Sequence, residues 1–72
     1  MSNEIRNEVK AYVATEGIEM KKLVEMINEK YGKNDSLSNL SNKLTRGTIK
    51  YREVKEIADV LGYEIEWKKK QD

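Results

Sequence analysis

Residues 36–52 of this chain of 72 read SLSNLSNKLTRGTIKYR, and the arrangement of the helices can be worked out from this segment. Its leucines recur at spacings of three and then four residues: Leu37, Leu40 and Leu44. A helix places residues at these spacings on one face, so we expect all three leucines to face the core. Asp35 or Ser36 suits the N-cap, and Gly47 suits the left-handed position after the last turn. The sequence therefore predicts a helix over about residues 36–46.

Three further apolar sets at helical spacing lie on either side of this stretch. They are Ile5, Val9, Tyr12 and Val13; Met20, Leu23, Val24 and Ile27; and Ile49, Val54, Ile57, Ala58 and Leu61. The chain has no proline, and glycines follow each set. We therefore predict an all-α domain over residues 1–72, a bundle of four to five helices. The expected helices are about residues 3–16, 20–31, 36–46 and 51–61.

The tail after the fourth set changes its period from 3.6 to 2. Over residues 63–67, Tyr63, Ile65 and Trp67 would face one side and two glutamates the other, which predicts a short β-strand. A single strand leaves its backbone N–H and C=O groups without a ladder. We therefore expect the same strand of a second copy to pair with it, which makes these three residues the dimerisation contacts of a homodimer. The alternative is that they dock on the helices as an extended tail.

The composition excludes several classes of chemistry. The chain contains no cysteine and no histidine, so a thiol nucleophile, a zinc–cysteine cluster and an imidazole base are all absent. It also contains no glycine-rich phosphate loop and no catalytic serine motif. We therefore expect no enzyme, with no catalytic residues, no metal and no cofactor.

The apolar runs are short, far below the ~20 residues that a membrane-spanning helix needs. The N-terminal residues lack the hydrophobic core of a signal peptide, so we expect a cytoplasmic protein without a membrane partner. A domain this small is marginal alone, which favours a partner chain. No small-molecule effector domain is evident.

The charge is unevenly distributed along the chain. The formal net charge is +1, but residues 1–20 carry −2, residues 37–52 carry +4 and residues 53–62 carry −2. Residues 36–52 contain no acid; serines and asparagines alternate there with lysines and arginines. Such a surface suits DNA, because serine and asparagine bind base edges or phosphates while cations neutralise the backbone. The alternative is a capped helix with a soluble outer face.

The order of three segments carries a resemblance to a known family. The segments are Met20-Lys-Lys-Leu-Val24, Ser38-Asn-Leu-Ser-Asn-Lys-Leu-Thr-Arg-Gly47 and Ile57-Ala-Asp-Val-Leu-Gly62. They resemble the Cro/lambda-repressor-like (XRE-type) helix-turn-helix family, especially its small bacterial and phage members, over nearly the whole chain. Two features depart from the family pattern. The turn at Asn28–Asp35 is longer, and Val24 stands where an alanine often lies at the crossing of the second and third helices.

The resemblance implies a sequence-specific double-stranded DNA-binding transcriptional regulator, with repression as the expected effect. Its third helix would lie in the major groove, and it would act as a homodimer on a two-fold-symmetric operator. The expected base contacts are Ser38, Asn39, Asn42 and Lys43. The expected phosphate contacts are Lys21, Lys22, Ser41, Arg46, Thr48, Lys50 and Tyr51.

Three of these assignments have alternatives. Asn42 would instead bond to its own helix, and Tyr51 would belong to the core of the fourth helix. A third alternative concerns Lys68–Lys70, which we expect to be a solvated tail, the alternative being a DNA arm. A different function is also open: a protein-binding module, antitoxin-like or a phage inhibitor, on the same scaffold without DNA binding. Salt dependence separates the two functions, because DNA binding weakens steeply with salt.

Overall fold

The computed structural model describes residues 3–71, which form four helices followed by a tail. The helices are α1 (Glu4–Thr15), α2 (Met20–Tyr31), α3 (Leu37–Arg46) and α4 (Tyr51–Leu61). Their bounds lie within one residue of those expected from the apolar spacing. None of the helices in the described part of the chain is long and apolar enough to cross a lipid bilayer.

The two ends of α3 are set by local chemistry. Ser36 is the N-cap, and its hydroxyl oxygen accepts a hydrogen bond of 3.1 Å from the backbone N–H of Asn39. Gly47 has a φ of +70°, a conformation that residues with a Cβ atom rarely adopt. The next N–H, that of Thr48, then donates to the carbonyl of Lys43 at 2.9 Å and ends the helix. Both boundaries of α3 therefore follow from residues in or beside the helix itself.

The core lies where the four helices meet. Its buried side chains are Val9, Val13, Leu23, Val24, Ile27, Leu40, Leu44, Ile57 and Leu61. α1 and α2 each pack against both α3 and α4, and Leu23 of α2 has no exposed surface. Among the described residues, no polar or charged side chain is buried. The polar chemistry of residues 3–71 therefore lies on the surface.

The expectation that Leu37 faces the core is wrong. Leu37 is 41% exposed, whereas Leu40 and Leu44 are 4% and 2% exposed. Leu37 is the first residue of α3, so it lies at the edge of the packed helices rather than over their centre. Two leucines, not three, anchor α3.

The expected β-strand over residues 63–67 is also wrong, because the described part of the chain contains no strand. The tail instead makes contacts with helices. The backbone N–H of Tyr63 donates to the carbonyl of Ala58 at 2.8 Å, which completes the end of α4. The Tyr63 ring lies 4.7 Å from the Tyr12 ring, centroid to centroid, and its hydroxyl donates at 2.7 Å to Glu16, the residue after α1.

The tail therefore fits the alternative expectation of a docked segment over its first residues. The physical reason is that alternating Tyr, Ile and Trp side chains need an apolar surface on one side, and a helix pair supplies one as well as a sheet does. Docking weakens along the tail. Tyr63 is half-buried, Ile65 is 39% exposed and Trp67 is 87% exposed.

Candidate nucleic-acid interface

The outer face of α3 is lined by small polar side chains. Leu40 and Leu44 point into the core, so the residues on the opposite side of the helix face solvent. Ser38, Asn42 and Thr45 are exposed and lie at spacings of four and three residues, which puts them in one row. We call Ser38, Asn39, Asn42 and Thr45, all exposed, the α3 outer face.

Asn42 lies at the centre of this face. Its side chain makes no hydrogen bond to any other residue within 3–71, so the alternative in which it bonds to its own helix is not what the structure contains. Its amide carries two donors and a carbonyl acceptor that are free for a ligand.

Asn39 is held at the start of α3 by a neighbouring carboxylate. One oxygen of Asp35 accepts hydrogen bonds from the Asn39 side-chain amide at 2.9 Å and from the backbone N–H of Ser36 at 3.1 Å. The bond occupies one of the two amide hydrogens of Asn39 and leaves the other, with the amide oxygen, free. Asn39 is therefore more restrained than Asn42.

The long turn before α3 is closed by a side chain. The amide of Asn28, in the last turn of α2, donates to the backbone carbonyl of Asp35 at 2.9 Å, and its oxygen accepts from the backbone N–H of Asp35 at 3.0 Å. Asn28 thus makes both of the bonds that a paired backbone would make. These bonds join the end of α2 to the start of α3, so the longer turn is held in one geometry.

Lys43 does not extend from the α3 outer face. Its ammonium donates to Glu53 of α4 at 2.7 Å and lies 3.8 Å from the second oxygen of Asp35. The hydrogen bond to Glu53 raises the pKa of Lys43, while Lys43 and the backbone N–H of Lys50 lower the pKa of Glu53. The structure therefore places this expected base contact in a cluster with two acids.

The cations that follow Lys43 are arranged differently. Arg46, Lys50 and Arg52 are exposed, and none of them forms an ion pair with an acid among residues 3–71. We call these three the free cations. They lie from the last turn of α3 to the first turn of α4, so they continue from the end of the α3 outer face.

The remaining expected phosphate contacts differ in accessibility. Thr48 is exposed in the loop after α3, whereas Ser41 is half-buried beside the core. Tyr51 is 54% exposed at the start of α4, so the alternative that places it in the core is wrong. Lys21 and Lys22 are exposed in the first turn of α2, and no hydrogen bond or ion pair within the described residues joins them to α3.

A second set of cations is paired with α4. Lys30 contacts Asp59, and Lys33 contacts Glu56, while the hydroxyl of Tyr31 donates to Asp59. The hydrogen bond from Lys30 is the main cause that lowers the pKa of Asp59. The hydrogen bond to Asp59 is the main cause that raises the pKa of Tyr31 to about 12.

Two residues of this surface are not among the contacts predicted from the sequence. Thr45 shares a row with Ser38 and Asn42, a spacing of 38, 42 and 45 that the sequence alone contains. Arg52 is exposed and unpaired near Lys50, and its place in the acid-free residues 36–52 was enough to predict a phosphate contact. Both belong with the candidate interface.

No cluster of three potential metal ligands occurs within residues 3–71. Comparison of the chain with protein-family models, with curated proteins and with solved structures finds no match.

Proposed function

We propose that this chain is a sequence-specific double-stranded DNA-binding regulator that inserts α3 into the major groove. The observation that carries the proposal is a continuous surface: neutral hydrogen-bonding side chains on the α3 outer face, followed by the three free cations. Two acids lie beside this surface, and both are occupied: Asp35 by Ser36, Asn39 and Lys43. Glu53 is occupied by the Lys43 ammonium and by the backbone N–H of Lys50. Phosphates would therefore meet cations with little repulsion from carboxylates.

The chemistry of the α3 outer face suits base edges. The major groove is about 12 Å wide and admits a helix, and each base pair presents a distinct pattern of donors and acceptors there. Asn42 has the donor and acceptor that adenine N7 and N6 require. Thr45 offers a hydroxyl and a methyl group, and the methyl suits the methyl group of thymine. These two residues, with Ser38, would read sequence.

The free cations would hold the protein on the backbone. Arg46, Lys50 and Arg52 would each neutralise phosphate charge, which adds affinity without adding base preference. The unpaired N–H groups in the first turn of α3 would lie near the same duplex. Lys43 contributes less than the sequence predicts, since its charge is already matched by Glu53.

A second copy would extend the recognised site. Two copies related by a two-fold axis would place their reading helices about one turn of DNA, ~34 Å, apart on a palindromic operator. Binding at a promoter would block transcription by occupying it. Control would then come from protein concentration or from a partner.

The first experiment selects bound duplexes from a random pool and measures affinity for the selected site by fluorescence anisotropy at several salt concentrations. We expect a preferred sequence and a plot of log affinity against log salt whose slope is about −3 for each chain, one unit for each free cation. An absence of binding at low salt, or binding that ignores both salt and sequence, would overturn the proposal and favour the protein-binding alternative.

A pair of asparagine variants then tests the reading helix. Asn42→Ala should weaken binding to the selected site by about tenfold and relax preference at one position of the site. Asn7→Ala removes the same amide from an exposed position of α1 and should leave both properties unchanged. Equal effects of the two variants would assign the reading surface elsewhere.

A further inference from the structure

An apolar groove lies on a different side of the molecule from the α3 outer face. Its volume is about 280 Å³, and it runs between α1, α4 and the start of the tail. Ile5 and Tyr12 line it from α1, and Val54 and Ala58 line it from α4. No residue of α3 lines it, so an occupant of this groove would leave the α3 outer face open.

The rim of the groove is acidic. Glu8, Glu64 and Glu66 line it together with the apolar side chains, and no lysine or arginine does. None of these three carboxylates forms an ion pair with another residue in the described range 3–71. The chemistry that fits this groove is therefore an apolar or aromatic group followed by positive charge.

The tail of the chain carries an aromatic side chain followed by positive charge, and neither lines the groove of its own chain. Trp67 is 87% exposed, and one hydrogen bond of 3.3 Å from its indole N–H to the Tyr51 hydroxyl attaches it to the helices. Lys68–Lys70 follow it directly; all three are exposed and form no ion pair within residues 3–71. Tryptophan is enriched at protein–protein interfaces relative to the rest of the surface.

The tail of the same chain is a poor occupant of this groove. Ile65 already lines the groove, and Glu64 and Glu66 stand only two to six residues before the lysines. The chain would have to fold back sharply on itself to bring Lys68–Lys70 onto those glutamates. A second copy has no such constraint.

The charge pattern is also symmetric about Trp67. Glu66 and Lys68 lie one residue on either side of it, and Glu64 and Lys70 lie three residues on either side. A two-fold axis near Trp67 therefore sets each glutamate of one copy against a lysine of the other. Contacts of this kind are isologous, because the same surface serves both partners.

We infer that a second copy of this chain covers the groove between α1 and α4. Each copy inserts Trp67 against the apolar walls of the other and sets Lys68–Lys70 against the acidic rim. The contact is made by side chains on the groove and needs no β-ladder. It concerns self-association alone, so it stands or fails independently of DNA binding.

The first test measures molar mass by sedimentation equilibrium without DNA, from micromolar to millimolar protein. The wild-type chain should approach twice its mass of 8.4 kDa. Trp67→Ala should raise the dimer dissociation constant by at least about tenfold. Leu37→Ala truncates another exposed apolar residue, 41% exposed on α3, and should leave the dissociation constant unchanged. A wild-type chain that stays monomeric at millimolar concentration overturns the inference.

A charge exchange then tests the pairing. One variant carries Glu64→Lys with Glu66→Lys, and the other carries Lys68→Glu with Lys70→Glu. Each alone places like charges across the two-fold axis and should be monomeric, with the helical circular dichroism of the wild-type chain, since all four positions are exposed. An equimolar mixture should form a heterodimer, because both contacts are then restored. Monomers in the mixture, or dimers of either variant alone, would contradict the assigned contact.

Discussion

Two groups of cations in this molecule carry the same charge in different surroundings. Lys30, Lys33 and Lys43 each contact an acid of α4, whereas the free cations after α3 contact none among the described residues. The acids concerned lie three residues apart along α4: Glu53, Glu56 and Asp59. Each acid receives a lysine from a different place in the chain: α3, the turn after α2, or the end of α2.

The difference shows which charge belongs to the fold and which is available to a ligand. Each of the three acids in residues 53–62 is paired with one lysine from outside that segment, so α4 presents little free negative charge there. The +4 of residues 37–52 loses Lys43 to Glu53 but keeps the free cations. Segment charge alone does not separate these two roles, because pairing depends on contacts distant in sequence.

The largest expected effect comes from removing free cations. Arg46→Gln with Lys50→Gln should weaken binding to the selected duplex by roughly a hundredfold at low salt. The salt slope should become shallower by about 2, because two phosphate contacts are lost. Fluorescence anisotropy over a salt series measures both quantities.

The matched control removes the same charge from the paired group. Lys30→Gln with Lys33→Gln also lowers the net charge by two, but these lysines are directed at Asp59 and Glu56. We expect affinity and salt slope to change little. If both pairs of substitutions weaken binding equally, net charge governs the interaction and the distinction between the two groups fails.

The next largest effect concerns the turn between α2 and α3. Asn28→Ala removes both hydrogen bonds to the backbone of Asp35, which should lower the free energy of unfolding by about 1–3 kcal/mol. Urea unfolding followed by circular dichroism measures this. Asn34→Ala, at an exposed position of the same turn, should change stability by less than about 0.5 kcal/mol. Equal losses would mean that Asn28 does not hold the turn.

A smaller effect is expected on the free energy of unfolding at low pH. The hydrogen bond from Lys43 lowers the pKa of Glu53, so the folded state binds this proton less tightly than the unfolded state. The resulting stabilisation is present above the ordinary carboxyl pKa of 4.5 and is lost as pH falls through the lowered value. We expect Glu53→Gln to lower the free energy of unfolding at neutral pH by about 1 kcal/mol and to reduce its loss in acid.

Urea titrations at several pH values from neutral to strongly acidic provide the measurement. Glu29→Gln, at an exposed position of α2 without an ion pair among the described residues, is the control and should retain the wild-type pH dependence. A wild-type profile in Glu53→Gln would show that the pair with Lys43 adds nothing to stability.

The smallest effect is spectroscopic and lies at high pH. The hydrogen bond to Asp59 raises the pKa of Tyr31 to about 12, so the folded state binds the phenolic proton more tightly. Its contribution to stability is full below the ordinary value of 10.0 and is lost as pH rises towards 12. Tyrosinate absorbance should show a late-titrating group that Tyr31→Phe removes. Asp59→Asn should return that group to lower pH; no change in Asp59→Asn would contradict the assigned contact.

The helices were the most predictable part of this protein. Leu40 and Leu44 are spaced for a helix, Ser36 is a good N-cap and Gly47 a good stop, and each of these signals acts within a few residues. The tail was less predictable. The alternation at Tyr63 and Ile65 indicates that one side of the tail is apolar, but not what packs against that side. In the structure the helices pack against it.

The candidate interface could be predicted in part. The spacing along α3 already puts Asn42 away from the leucines, and the structure leaves it exposed. Its charge and its place on the same helix predict that Lys43 contacts a base. In the structure Lys43 instead bonds to Glu53, which lies ten residues later in the chain. DNA binding and the roles of individual residues remain predictions for the experiments above.

Four helices, the capped ends of α3 and the acid-free stretch over residues 36–52 follow from the sequence alone. They can be predicted because helical periodicity, capping and residue charge are local properties. The structure shows that Asn28 closes the long turn by bonding to Asp35, seven residues later. Only the packing of the helices sets which cations are paired with acids and where the tail lies, because both depend on distances between residues far apart in the chain.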